Sequence, residues 1–423
     1  MDMHHGNTRK LAAVVLAACL TPIFSPARAD AQEGTLTFDS ARKAMLAANP
    51  QAAAAMQNLE AARQDVTAAR AGYYPSFSAD GSYFREGPQA LNAFDEYNYG
   101  VSGKQPLYTP SIPAAVRSAE ASMRVSEAAY DQAAATLRYQ LYSAFADIVN
   151  ARATIKLSEE TLKRRAENVE LIRLKYQAGR ENKAALLETE AALKTAQWQD
   201  EKDKLDLRIM ERKLNRLLGL PARTPVPELA LPRPPEPPED FSAFAAQLAN
   251  HYSLRSARAS LAASKAAIDT ARSAILPTAS ASGSYKWFGN DFPTTSNRWS
   301  LGASVSLPLF SGGKLTAGLD AAKARSRSSD ADLKNVSDAV YLAAEDTFLA
   351  WREARAFLDA AKSTLDAGEA RAWLVRKQYL AGQSTYVEWR SVEEELISEQ
   401  NQYLAAEHGL SVSHAAFVQA LGE

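Results

Sequence analysis

The sequence predicts a mainly α-helical protein with transmembrane β-strands: long antiparallel coiled-coil helices forming an α-helical barrel that runs on into a β-barrel. Three observations lead there. Two stretches of well over sixty residues read as unbroken helix, four segments alternate apolar and polar residues at period two, and the whole plan is written twice.

The duplication shows in short landmarks. "ARAGYYPSFSADGSY" (Ala69 to Tyr83) returns as "ARSAILPTASASGSY" (Ala271 to Tyr285), and "KQPLY" (Lys104 to Tyr108) as "SLPLF" (Ser306 to Phe310), both offset by 202 residues. "KYQAG" (Lys175 to Gly179) returns as "QYLAG" (Gln378 to Gly382), offset by 203, and "AMLAANP" at Ala44 is echoed by "AQLANHY" at Ala246. The expected organisation is a signal peptide over 1–29, a first repeat over 30–218, a Pro-rich connector over 219–240 and a second repeat over 241–423. "LPARTPVPELALPRPPEPPED" is too proline-rich for helix or central strand, so the connector is expected to be extended and wrapped on a surface.

At the N-terminus, Arg9 and Lys10 precede an apolar stretch from Leu11 to Phe24, and Ala27-Arg28-Ala29 offers small residues for cleavage. Leu16-Ala17-Ala18-Cys19 also resembles a lipoprotein cleavage box, which would leave Cys19 as a lipidated first residue. Export follows from both readings. Removal of 1–29 leaves 45 basic and 48 acidic residues, a net charge of −3.

Each repeat reads helix, strand pair, very long helix, tip, returning helix. The first helices cover Phe38 to Gly72 and Phe241 to Leu276, each ended by a proline, Pro75 or Pro277. Pro113 to Ala178 contains no interior Pro or Gly; these 66 residues would reach about 100 Å at 1.5 Å each. The second copy runs from Lys314 to Ala381. Gly179 and Gly382 allow reversals, and helices of nearly forty residues return to Leu218 and Leu421. Helices this long imply coiled coil. Tyr130, Leu137, Leu141, Ala144 and Ile148, then Leu157, Leu162, Val169, Ile172 and Tyr176, mark its seam, and alanine on further faces allows packing on two sides. An ordinary antiparallel bundle would show the same helical patterning.

The strand pairs, 76–107 and 278–309, discriminate. Phe77, Ala79, Gly81 and Tyr83 alternate with Ser76, Ser78, Asp80 and Ser82; Tyr97, Tyr99, Val101 and Gly103 alternate with Asn98, Gly100, Ser102 and Lys104. Ala279, Ala281, Gly283, Tyr285 and Trp287 oppose Ser280, Ser282, Ser284 and Lys286, and Trp299, Leu301, Ala303 and Val305 oppose Arg298, Ser300, Gly302 and Ser304. Period-two alternation over about ten residues is the pattern of a strand crossing a bilayer with one wet face. Ser78, Asp80, Ser82, Lys104, Ser282, Lys286, Arg298 and Ser304 are therefore expected to line a lumen. Open edges are not tolerated in lipid, so chains must pool strands, and three chains of four give a workable twelve. The other reading, a small soluble β-layer with its serines in bulk water, leaves two 100 Å helices without a purpose.

A net charge of −1 gives no reason to expect a nucleic-acid partner. One cysteine rules out a disulfide framework, and His408 and His414, six apart, suit one helix face poorly for metal binding. No phosphate-cradling loop or nucleophile motif occurs, so no enzyme activity, cofactor or metal is expected.

The ordered set "AMLAANP", the paired "Y-P" and "PL-aromatic" strand borders, "KYQAG", "QYLAG" and "LNRLLGLP" (Leu214 to Pro221) resembles the TolC family of outer-membrane efflux proteins across essentially the whole mature chain. The resemblance implies a homotrimer in the outer membrane of a Gram-negative bacterium, with a twelve-stranded barrel continuing into a periplasmic helical tunnel. It implies a passive duct for a tripartite efflux or type I secretion system, joined through a periplasmic adaptor to an inner-membrane pump of RND or ABC type. Cargo would be a drug, a metal or a polypeptide. A structural periplasmic coiled-coil scaffold is the competing reading. The resemblance also makes Tyr176, Gly179, Arg180, Tyr379, Gly382 and Ser384 the tip that meets the adaptor, and Tyr379, Glu388 and Glu188 candidates for the gate. An acid of the family's pattern is matched by Glu388 but is Ala185 in the first repeat; an arginine is replaced by Ser384 and a second acid by Ser391. The family's tyrosine–carboxylate latch is thereby put in question.

Overall fold

The computed structural model describes residues 35–87 and 94–423; the expected signal segment, Cys19 included, lies outside them. In chain order the elements are β1 (Leu36–Thr37), α1 (Phe38–Ala48), α2 (Pro50–Ala71), β2 (Ser76–Glu86), β3 (Phe94–Tyr108), α3 (Ser111–Gln177) and α4 (Lys183–Leu217). There follow β4 (Leu229–Ala230), a 3-10 turn (Phe241–Phe244), α5 (Ala245–Leu248), α6 (Tyr252–Ser273), β5 (Thr278–Gly289), β6 (Ser296–Ser306), α7 (Lys314–Leu380) and α8 (Tyr386–Ala420).

The long helices α3 and α7 have 67 residues each. The returning helices α4 and α8 have 35 each, shorter than expected, because each begins at a side-chain cap three residues beyond its glycine. The single first helix expected from Phe38 to Gly72 is two. Pro50 has no N–H to donate and its ring would strike the preceding turn, so α1 stops and α2 restarts with proline in its first turn. Asn49 caps the restart by accepting from the Gln51 N–H at 2.8 Å and donates its own amide to the Leu217 carbonyl at 2.9 Å. In the second repeat the chain likewise breaks before Tyr252, where His251 Nδ1 accepts from the Ser253 N–H at 3.2 Å. The connector is more than a surface wrap: β4 pairs in parallel with β1, and Leu229 is buried.

Packing follows the sequence pattern. Ala114, Ala121, Ala128 and Ala135 of α3 are buried at seven-residue spacing, as are Ala52, Leu59 and Val66 of α2, and Ala259 and Ala266 of α6. Small residues on a heptad seam bring helix axes close. Along the chain's breadth α4 packs on α3, α3 on α8 and α8 on α7; nearer the sheet α2 packs on α3, α3 on α6 and α6 on α7. Of the predicted seam residues, Leu137, Leu141, Ala144, Ile148, Val169 and Ile172 are buried, while Tyr176 is exposed.

Two apolar cores repeat one another. Phe38, Met45, Leu137, Leu141, Phe145, Ile148, Leu214 and Leu218 form the first, with Leu207 packed against it. Phe241, Leu248, Val340, Ala344, Phe348, Trp351, Phe417, Leu421 and Leu410 form the second, each 203 residues after its counterpart. The third core is at the tips. No described helix is long and apolar enough to cross a membrane.

The sheet is antiparallel throughout, in the order β2-β3-β5-β6. Its register aligns the polar positions in rows: Ser78 with Ser102, Ser102 with Ser284, and Ser284 with Ser300. Hydroxyls meet across strands at 2.9 Å between Ser78 and Ser102 and between Ser284 and Ser300. On the other face Phe77, Trp299, Leu301 and Val305 are 72–83% exposed, so the apolar side of this single chain covers nothing of its own.

Candidate functional site

Both tips are built by the same local device. Gly179 and Gly382 have φ of 71° and 78°, the left-handed region glycine enters without strain. Arg180 N–H returns to the Lys175 carbonyl and Gln383 N–H to the Gln378 carbonyl, both at 2.8 Å, closing the helix ends. Three residues on, Asn182 accepts from the Ala185 N–H at 2.8 Å and Thr385 from the Glu388 N–H at 3.2 Å, opening α4 and α8.

The side chains then stitch one hairpin to the other. Tyr379 is 3% exposed, stacked on Trp389 with ring centres 4.7 Å apart, and its hydroxyl donates to Glu181 at 3.1 Å. The Lys175 ammonium lies 3.5 Å from the centre of the same ring and donates to the Tyr379 carbonyl at 3.2 Å. Burial first, and Glu181 second, push the Tyr379 pKa well above the ordinary tyrosine value, so the hydroxyl stays a donor. Burial holds that of Lys175 below the ordinary lysine value, with Glu181 opposing. Tyr386 and Thr189 share a hydroxyl contact at 2.9 Å, and Arg390 donates to Glu188 at 2.6 Å.

The predicted tip residues are thus distributed among different tasks. Gly179 and Gly382 make the turns; Arg180 is exposed and Ser384 half-buried beside them. Ser384 donates to Glu388 at 2.8 Å, so that carboxylate serves its own helix end, and Glu188 is engaged by Arg390. Tyr379 does hold a carboxylate, but it is Glu181. Ala185 explains its own departure from pattern: it is buried in the apolar tip core with Ile172, Val375, Tyr379, Tyr386 and Trp389. An acid there would lose its water with no partner.

At the other end, the register sets all eight predicted lumen residues on one face. Asp80, Gly100, Lys286 and Arg298 form one row across four strands; Lys104 lies between Ser76 and Ser282; Ser82 faces Asn98 and Ser304 faces Ser280.

The outer membrane efflux protein family matches residues 41–220 and 245–423. The chain belongs to that family. Among its relatives, Nodulation protein T of Rhizobium leguminosarum bv. trifolii is 24% identical over 87% of this chain and 79% of its own. The alkaline protease secretion protein AprF of Pseudomonas aeruginosa is 24% identical over 85% and 79%. Among solved structures, CusC, described for its folding and transmembrane channel formation, superposes with a TM-score of 0.81 at 19% identity, covering 91% of each chain. The protein is accordingly an outer-membrane, TolC-like chain with a periplasmic extension.

Sequence reasoning placed the tips at Tyr176 to Lys183 and Tyr379 to Tyr386, giving Glu181 and Tyr386 no role of their own within them, and it missed Lys175, Thr189, Trp389 and Arg390. Lys175 stands inside the quoted "KYQAG", and Trp389 directly follows Glu388. Trp389 stacks on Tyr379 within its own hairpin, but the partners of the other five lie about two hundred residues away on the other hairpin, and no spacing within one tip reveals that.

Proposed function

We propose that three copies of this efflux-family chain form a passive exit duct, with a twelve-stranded barrel in the outer membrane and a helical tunnel below it. The signal over 1–29 directs export, and the two repeats on either side of the connector over 219–240 each supply two strands. A periplasmic adaptor receives the tips around Gly179 and Gly382 and couples the duct to an inner-membrane pump of the RND or the ABC type. The partners are protein and outer-membrane lipid, not nucleic acid. In the resting duct Tyr379 acts in the gate through Glu181, with Glu188 and Glu388 beside it.

One observation carries this reading. Among the described residues β2 pairs only with β3 and β6 only with β5, leaving two open edges on a sheet with one hydroxyl-rich face and one exposed apolar face. Lipid excludes such edges. Because β2 and β6 run in opposite directions, β6 of one copy beside β2 of the next continues the antiparallel pattern without a break. A coiled-coil scaffold would need neither the alternation nor the edges. Electron microscopy of the mature protein in mild detergent tests the proposal. A hollow three-fold particle roughly 130–140 Å long is expected from about 100 Å of helix plus a bilayer-deep barrel. A soluble rod of one or two chains without a detergent belt would overturn it.

A further inference from the structure

The charges on the polar face of the sheet are unevenly placed. Its central row is Asp80, Gly100, Lys286, Arg298, with Lys286 directly opposite Arg298 on the neighbouring strand. Two like charges facing each other across a strand pair are unfavourable. One is compensated within the row: Lys286 crosses β3 to bring its ammonium 4.0 Å from Asp80. It passes over Gly100, where a Cβ would stand 2.9 Å from Lys286 Cγ, so the absence of a side chain there opens the path. Arg298 has its guanidinium 5.2 Å from the Phe288 ring instead of on a carboxylate. Lys104 lies four residues nearer the helices than Gly100, about 13 Å along the strand, in a row whose other members are Ser76, Ser282 and Gly302. Among the described residues neither Lys104 nor Arg298 forms a salt bridge. The other charged positions that the register sets on this face, Glu86 at the outer end of β2 and Glu96 opposite Phe84, lie farther out, so the positive charges gather on the side nearer the helices.

We propose that two levels of this face, the Lys104 row and the row of Lys286 and Arg298, form a cationic ring that favours anionic solutes, those bearing carboxylate or phosphate groups, on their way out of the duct. It rests on the duct reading, since three chains must close the sheet. Each level then carries one uncompensated positive charge per chain, although the chain as a whole has a net charge of −1. A ring of like charge within low-dielectric walls focuses its field into the lumen, and rings of Lys and Arg are how anion pores select. Even if Arg298 turns to Asp80 of the next copy, the row's sum is unchanged.

The test uses the full mature chain in planar bilayers, with myo-inositol hexakisphosphate added on the barrel side. Assembly of wild type and variants is checked by native mass spectrometry. The expected result is block of the current that fades with added salt, is weakened at least about tenfold in the Lys104→Gln/Arg298→Gln double variant, and is strengthened in Asp80→Asn. Conducting three-chain particles that are blocked equally in all variants, or not at all, overturn the ring and leave the duct standing. Chains that form no three-chain conducting particle overturn the duct reading, and the ring with it.

Discussion

At the residue scale, Tyr379 and His251 show how a single group can hold a fold locally. Tyr379 joins the end of α7 to the turn after α3 by its hydroxyl's bond to Glu181, while its ring meets Lys175 of α3 and Trp389 of α8, and Phe would keep the stacking on Trp389 while losing the bond to Glu181. With Glu181 only half-buried, that bond contributes about 1 kcal/mol. Tyr379→Phe is expected to raise the open probability in planar bilayers about five-fold, with the assembly unchanged. An unaltered current would remove Tyr379 from the gate. His251 caps α6 through a neutral ring nitrogen, and burial, then Arg255, depress its pKa below the ordinary 6.5. The stability it contributes is therefore full above pH 6.5 and is lost as pH falls through the folded value. Melting temperatures of wild type and His251→Asn should agree at pH 8 and diverge on acidification, the wild type falling faster, because asparagine caps without titrating.

Among the elements, the two repeats hold equivalent cores with different side chains. Phe145 and Phe348 are counterparts, both at most 2% exposed, one among α1, α3 and α4 and the other among the 3-10 turn, α7 and α8. Phe348→Ala and Phe145→Ala should each cost about 3–5 kcal/mol, read as similar losses in detergent thermal stability. A large loss for only one would mean that the repeats are not energetically equivalent. The first-helix breaks belong to this scale too. Pro50 stands inside the single helix expected from Phe38 to Gly72, and although buried Phe38, Met45, Ala52, Leu59 and Val66 keep a seven-residue spacing across it, the proline's missing N–H ends α1 there.

For the whole molecule, the exposed helix edges matter most. In the layer that contains the tips, α4 and α7 are the outer members, and each shows an uncovered apolar stripe: Trp198, Leu205 and Ile209 on α4, and Leu342 and Leu349 on α7. The sheet above them has the same property at β2 and β6. If neighbouring copies cover these edges, Leu349→Glu should leave the monomer's buried cores intact but abolish the three-chain species in native mass spectra. A trimer that tolerates the charge would place the contact elsewhere.

The sequence by itself determined the periodic features: the long helices, the alternating strands, the reversing glycines and the twofold plan. Each of these is a local pattern, and both copies of the 203-residue offset are written in the side chains that fill the cores. It also determined which residues share the polar face, because side-chain direction along a strand has a period of two. Only the tertiary structure decided who meets whom across the copies. Tyr379 finds Glu181 rather than Glu388, Arg390 takes Glu188, and Lys286 reaches Asp80 over Gly100. These pairs join segments about two hundred residues apart, and their geometry depends on helix packing and sheet register, which no spacing within one segment encodes.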